Sequence, residues 1–310
     1  MALESTKLFV IVVTYKGCQW YNRCFASLRE SNLPVQTIVV DNASGDGSAD
    51  YIKTHFPEIH VIESSVNLGF GQANNKGIRY ALDHGCDFVF LLNQDAWIEP
   101  DTIEILVNVH LNNKGYGILS PMHLTPEKDY IEKGVLTYVD DFRTTDRAFF
   151  EDLYFSRLKE LYETSYINAA AWLIDRGTLE TVGGFDPLFF QYGEDDNYMR
   201  RVIYHGFKIG ICPRSRVVHD CDNKGVRVYT PEELERRRQL PLLIRFTDIT
   251  KIESLRAYLL FLLRKVLVSV LKGNKRLAYN YRKDYLFLKE RRQSIRNSVS
   301  MNQIPGQTWL

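Results

Sequence analysis

The sequence predicts an α/β fold, a doubly wound and mostly parallel mixed sheet followed by a basic, helical C-terminal appendage. Three observations carry this expectation. Short runs rich in β-branched residues recur through the first hundred residues, segments of helical period separate them, and Lys and Arg crowd the stretch after residue 250. Leu8 to Thr14 reads as the first strand, and Tyr21, Cys24, Phe25 and Leu28 give residues 20–30 helical spacing. Thr37 to Asp41 is the second strand, broken by Asn42 to Ser48 before a helix over 49–56. His60 to Ile62 is a short third strand, and a helix over 72–83 ends near Gly85. Phe88 to Leu92 is the fourth strand, apolar throughout as expected of a strand buried on both faces. Pro100-Asp101 announces another helix. Further on, Gly183 to Pro187 form a turn, Tyr198, Met199, Val202 and Ile203 recur at helical spacing up to Gly206, and 208–212 with 216–218 read as a strand.

Size and charge limit the function. The 310 residues suffice for one large α/β domain with an appendage, or for two small domains. A formal net charge of +1 argues against a general nucleic-acid binder, so no nucleic-acid partner is expected. Cys18, Cys24, Cys86, Cys212 and Cys221 show no CxxC spacing, which points to incidental thiols in a reducing compartment rather than zinc or disulfides. Leu8 to Val13 is too short for a signal peptide and runs directly into patterned sequence, so a cytoplasmic home is expected.

Strand-helix alternation gathers the polar strand ends Thr14, Asp41, Asn67 and Asp95 at one rim, where open α/β sheets bind ligands. Asp95 ends an apolar run, and two readings of it stand: a turn or cap residue, or a ligand for a divalent cation that carries phosphate oxygens. Asp41 could accept from the N3–H of a uracil or thymine, with Asp46 to Ser48 serving turn and cap. That segment has neither a GxGxxG fingerprint nor a GxxxxGK[ST] loop. Asn67 to Gly77 surround a helix start with Gly and Asn, suited to close backbone approach and to negative groups. Glu194, Asp195 and Asp196 share a first helical turn. Dipole compensation at roughly 0.3–1 kcal/mol each accounts for one or two of them, leaving Glu194 or Asp195 as a general base. His219, beside Asp220, is either a structural residue or a ligand. The aromatics Tyr138, Phe142, Phe149, Phe150, Tyr154 and Tyr162 suit an acceptor wall or a satellite core, and Trp172 is assigned to the core. In the basic tail, Tyr258 to Leu271 is interrupted by Arg264-Lys265 and so is too charged to span a bilayer. It reads either as an amphipathic helix on an anionic membrane surface or as a packed hairpin with a solvated basic face.

Taken in order, Val12 to Tyr15, Val40 to Ser48, Asn67 to Gly71, Asn93-Gln94-Asp95, Gly183 to Asp186 and Glu194-Asp195 resemble the inverting glycosyltransferases of family 2, which have a GT-A fold. The resemblance spans about residues 8–225 and is nearest the rhamnosyltransferase-like branch of bacterial cell-surface polysaccharide synthesis. It implies a catalytic domain over 1–225, with a nucleotide-binding half to about 115 and an acceptor half from 116, and a helical extension over 226–310. It further implies that Thr14, Tyr15, Asp41, Asn67, Gly69, Phe70, Gly71, Asn74 and Asn93 bind the nucleotide of a UDP- or dTDP-sugar. Asp95 and His219 would hold Mg²⁺ or Mn²⁺, and Asp195, with Glu194 beside it, would be the base for a glycan or lipid-linked acceptor. Two departures are visible: Asn93 stands where the family's DXD motif often begins with Asp, and Asn197 where many members have Asp. A nucleotidyltransferase is disfavoured because Thr14-Tyr15-Lys16-Gly17 is no phosphate loop, and a non-catalytic sugar-nucleotide or glycan-binding module is the alternative from another class.

Overall fold

The computed structural model describes residues 6–135, 149–220, 230–251 and 253–310; Tyr138, Phe142 and Cys221 lie outside them. The chain forms two compact units, Met1–Gly225 together with Pro305–Leu310, and Val226–Ile304.

The first unit is built on a nine-stranded mixed sheet. Its strands are β1 (Leu8–Thr14), β2 (Gln36–Asp41), β3 (His60–Glu63), β4 (Phe88–Asn93), β5 (Ala96–Ile98), β6 (Tyr116–Leu124), β7 (Tyr162–Thr164), β8 (Ala171–Asp175) and β9 (Lys208–His219). The order is β3-β2-β1-β4-β8-β6-β9-β5, with β7 paired to β9. The parallel block β3-β2-β1-β4 is the one legible in sequence, and β8 then pairs antiparallel to β4.

Side chains of a strand alternate between faces, so each apolar run feeds two cores. Leu8, Val10 and Val12 face Tyr21, Cys24, Phe25 and Leu28 of α1 (Cys18–Arg29) and Leu106 of α4 (Thr102–Asn112). Phe9 and Ile11 face Ala73, Ile78 and Ala81 of α3 (Gly69–Asp83), joined by Trp172, which is fully buried as expected. α3 begins at Gly69 rather than Gln72, with Gly69 entering it at φ +76°. Gly77 of the same helix lies against Ile11, where a Cβ would come within 2.5 Å of Cγ2. α2 (Ser48–His55) has Gly47 at its N-cap with φ +85°, so neither Asp46 nor Ser48 occupies the cap; Asp46 Oδ1 instead accepts from the Ser48 N–H at 3.1 Å.

The acceptor half adds α5 (Phe149–Tyr154), α6 (Arg176–Val182) and α7 (Glu194–Tyr204). The turn between α6 and α7 is tied from three sides. Arg201, 1% exposed, donates to the carbonyls of Val182 and Gly184, and the Tyr198 hydroxyl donates to that of Gly183. Asn75 of α3 reads the backbone of Phe185 in both directions, accepting from its N–H at 2.7 Å and donating to its C=O at 2.8 Å. The segment 305–310, grouped by the sequence pattern with the extension, returns to this turn. Thr308 C=O accepts from Gly184 N–H, and Trp309 C=O accepts from Asn75.

The second unit is helical: α8 (Pro231–Thr247), α9 (Leu255–Leu271), α10 (Lys275–Glu290) and α11 (Arg292–Asn302). A Thr230–Glu233 capping box with Pro231 at the first position starts α8. Arg238 ties it to α10 through Asp284 at 2.6 Å, and the Glu235 carboxylate, with Asp284, holds the guanidinium charged against the opposing effect of burial. On α9 the residues Leu260, Leu263, Leu267, Val270 and Leu271 recur along one stripe and are exposed, Leu271 by 77%. Among the described residues no helix is long and apolar enough to cross a membrane.

Candidate active site

Of the polar strand ends that the alternation groups, Thr14 and Asp41 touch directly. Thr14 at the end of β1 donates to Asp41 Oδ1 at 3.3 Å, and Ser44 holds the same carboxylate through its hydroxyl at 2.5 Å and its N–H at 3.2 Å. Asp41 is thereby fixed in orientation, with Oδ2 carrying a single N–H. Tyr15 presents an exposed ring, and its backbone N–H and C=O are both bonded to the amide of Gln94 beyond β4, bridging the two central strands.

Asn42 clamps the β3–α3 loop, accepting from Leu68 N–H and donating to Asn67 Oδ1 and to the Gly69 carbonyl. Asn67 Oδ1 also accepts from Gly69 N–H at 2.9 Å, a local turn that sets the helix entry. Phe70 packs edge-on against Phe185 with centroids 6.0 Å apart. Asn74 lies buried one turn on, its amide donating to Phe70 C=O.

Asp95 sits in the β4–β5 turn and is buried. Antiparallel pairing of β5 with β9 sets Ala96 opposite His219, which brings His219 Nε2 to 3.5 Å from Asp95 Oδ1. Asn93 Nδ2 is also 3.5 Å from that nitrogen. The other ring nitrogen, Nδ1, lies 3.0 Å from Glu132 Oε2, and Glu132 lies 3.2 Å from His123 Nδ1. Burial lowers the His219 pKa, but Asp95 and Glu132 outweigh it and raise it to about 9. Burial opposes ionisation of Glu132, and the two imidazoles overcome it, holding the carboxyl well below its usual range. Asp220, next in the chain, accepts from Trp20 Nε1 at 3.0 Å, while its Oδ1 is buried without a hydrogen-bond partner among the described residues.

This donor set fits a hard divalent cation. Asp95 and His219 point ligand atoms at each other across a gap too long for a good hydrogen bond and suited to two ligands of one ion, and Asp220, whose N–H donates to the Asp95 carbonyl and whose Oδ1 has no partner among the described residues, adds negative charge. The ligand atoms of His123, Glu132 and His219 also lie within 4.8 Å of one another, although Glu132 is already engaged by both rings.

The acidic turn starts α7. Gly193 at its N-cap takes φ +84°, and Glu194, Asp195 and Asp196 follow. Asp195 Oδ2 accepts from the Tyr166 hydroxyl at 3.1 Å and Oδ1 from the Asp196 N–H at 2.8 Å. Burial pushes the Asp195 carboxyl up, to about 6, with Asp196 adding like charge. Burial likewise raises Glu194, with Asp195 adding like charge, and its Oε2 is buried without a hydrogen-bond partner among the described residues.

Two glycines join this turn to the donor-side loop. A Cβ on Gly69 would overlap the carbonyl of Phe190, and one on Gly71 would stand 2.8 Å from Phe185 Cβ and 3.6 Å from Glu194 Cβ. A separate cavity of about 590 Å³, lined by Leu68, Asn75, Arg79, Tyr80 and Trp309, lies along the outer stripe of α3, and none of the candidate catalytic residues lines it. The sequence pattern missed Glu132, His123 and Tyr166. His123 carried a usable signal, a polar residue near the end of an apolar strand; Glu132 and Tyr166 carried none.

Polar strand ends set beside an acidic helix start form a crevice of the kind in which open α/β sheets bind ligands. The sequence matches Glycosyl transferase family 2 over residues 9–168, just over half of the chain, and the protein belongs to that family. It is similar to the dTDP-rhamnosyl transferase RfbF of Shigella flexneri, 22% identical over 87% of this chain and 91% of that relative. It is also similar to an N-acetylglucosaminyl-diphospho-decaprenol L-rhamnosyltransferase of Mycobacterium tuberculosis, 26% identical over 68% of this chain and 75% of the relative. In fold it is similar to S. aureus TarS in complex with UDP-GlcNAc, at TM-score 0.56 and 14% identity over 96% of this chain and 89% of that one. The chain is thus an inverting-family glycosyltransferase of GT-A fold that transfers sugar from a nucleotide sugar.

Proposed function

We propose that this enzyme moves a hexosyl or deoxyhexosyl group from a UDP- or dTDP-sugar, with inversion, to a hydroxyl of a glycan or lipid-linked acceptor in cell-surface polysaccharide synthesis. The observation that carries the reading is the contact at Gly69 and Gly71, which sets the strand-end cradle directly against the turn that bears Glu194 and Asp195. Rhamnosyl transfer in the names of two relatives, one acting on a diphospho-decaprenol acceptor, supports the donor and acceptor classes.

In this reading Thr14, Tyr15, Asp41, Asn67, Gly69, Phe70, Gly71, Asn74 and Asn93 form the nucleotide cradle. Asp195 takes the acceptor hydroxyl proton as the oxygen attacks the anomeric carbon from the face opposite the departing nucleoside diphosphate. Tyr166 holds the Asp195 carboxylate in place for that transfer. Asp95 and His219 would hold Mg²⁺ or Mn²⁺, which offsets charge on the leaving diphosphate when bound. A screen of UDP- and dTDP-sugars should find one donor whose nucleoside diphosphate is released and whose release stops on adding EDTA. Binding of a donor without release would favour a non-catalytic module, and release indifferent to EDTA would remove the metal.

The second unit supports a lipid-linked acceptor. The apolar stripe of α9 is flanked by exposed Arg256, Arg264, Lys265 and Lys272, the composition of a helix lying on an anionic bilayer. The full chain should float with vesicles containing phosphatidylglycerol, and joint Leu263→Glu, Leu267→Glu and Leu271→Glu replacement should weaken binding at least about tenfold, since each exposed leucine offers apolar area to the bilayer. Unchanged flotation would show that this face does not meet lipid.

A further inference from the structure

Glu132 has no part in the roles assigned so far, yet it is buried at the centre of a polar chain. Its Oε2 lies 3.0 Å from His219 Nδ1 and 3.2 Å from His123 Nδ1, and His123 Nε2 lies 3.1 Å from the Ser120 hydroxyl. A carboxylate oxygen only accepts, so each Nδ1 facing it must carry a proton. For a neutral imidazole this leaves Nε2 bare. In His123 Nε2 faces the Ser120 hydroxyl, which can donate to it or to the Pro121 carbonyl; in His219 it faces Asp95 Oδ1, another acceptor, at 3.5 Å.

Two acceptors facing each other repel unless something positive stands between them: without a cation this is a proton on Nε2 of the ring that Asp95 and Glu132 hold charged, and a divalent cation takes that proton's place on the bare Nε2. Deep burial of Asp95, Glu132 and His219 keeps solvent from supplying that charge. A histidine whose outer nitrogen donates to a carboxylate and whose inner nitrogen faces a second carboxylate has the arrangement of a metal-ligating histidine with its supporting acid. We propose that Glu132 is a positioning residue that keeps His219 in the Nδ1–H form with Nε2 aimed at Asp95, and so sets the affinity of the site for its divalent cation. The inference rests on the reading of Asp95 and His219 as the cation's ligands. His123 contributes by sharing Glu132 Oε2 and fixing its rotamer, anchored through Ser120 on β6. The chain of contacts therefore links β6 to the β5–β9 ladder through side chains that the sequence separates by about a hundred residues.

The test is Mn²⁺ binding to the full-length protein, read from the free-ion EPR signal, with Mn²⁺ alone as the probe. Glu132→Ala should raise the Mn²⁺ Kd about 10- to 100-fold. Glu132→Gln, which keeps the size and one acceptor oxygen, should recover part of the loss and guards against misfolding of the alanine variant. With Mg²⁺ bound, ¹⁵N shifts of His219 should show the Nδ1–H form in the wild type and lose that signature in Glu132→Ala. Wild-type Kd in both Glu132 variants, together with weakened binding in Asp95→Ala, would overturn the role of Glu132 while leaving the cation site intact. Mn²⁺ binding that survives Asp95→Ala would overturn the site and the inference together.

Discussion

Asp195→Asn should lower turnover by roughly 10²- to 10⁴-fold, the usual worth of a general base, while donor binding is unchanged. The amide matches the carboxylate in shape and its oxygen can keep the bond from Tyr166, while its NH2 gives up only the bond that Oδ1 accepts from the Asp196 N–H, so most of the loss is proton transfer. The wild-type rate should fall on the acidic side as the carboxyl is protonated. Because burial raises the Asp195 pKa to about 6, that limb lies about two units above an ordinary aspartate. The same shift fixes the effect on stability. A carboxyl whose folded pKa is raised favours the folded state below its unfolded pKa, and this contribution is lost as pH rises through about 6. Asp195→Asn should therefore be more stable than wild type at pH 8, by on the order of 1 kcal/mol, with the difference closing near pH 4. Steady-state kinetics with urea denaturation at both pH values checks the pair of effects. Near-normal turnover in the variant would remove Asp195 as the base.

The coupling of activity to instability explains why the acidic turn was legible as a site before its geometry was known. Three acids at one helix start exceed what the helix dipole rewards, and that excess is a local property of Glu194, Asp195 and Asp196. β1, β2 and β4 were legible for a similar reason, since apolar runs buried on both faces are self-evident in sequence, and the short, half-exposed edge strand β3 was placed by the alternation. Of the remaining strands only β9 was legible, as 208–212 with 216–218. β5 and β7 have three residues each, too short for any period, and β6 meets β9 through register shifts that no pattern in either strand announces. The candidate metal pair falls between these cases. Asp95 and His219 each end a readable strand, but their approach depends on the β5–β9 register, and Glu132 lies in an irregular segment where only tertiary folding brings it to His219. Segment 305–310 is a further instance: its basic surroundings assign it to the extension, whereas Asn75 and Gly184, far off in sequence, hold it to the first unit.

Gly69→Ala should be the most damaging change that removes no chemical group. Gly69 has φ +76°, and a left-handed conformation costs a non-glycine residue about 1–2 kcal/mol. The added Cβ would also overlap the backbone carbonyl of Phe190, which no side-chain rotation can relieve. The Phe190 segment must therefore move away from the start of α3, opening the contact that sets the nucleotide cradle against α7. Gly206→Ala supplies the matched control. Its φ is +87°, yet a Cβ there meets nothing within 4 Å, so it carries backbone strain without collision. Gly206→Ala should lose about 1–2 kcal/mol of stability and keep kcat/KM near the wild-type value. Gly69→Ala should lose more stability and about 10²-fold in kcat/KM, the scale expected when reacting groups shift by about an ångström. Urea denaturation and steady-state kinetics on the two variants separate the effects. If Gly69→Ala behaved like Gly206→Ala in both measurements, the strand-end cradle and the acidic turn would not depend on this contact, and the geometric basis for placing Asp195 against the donor would fall with it.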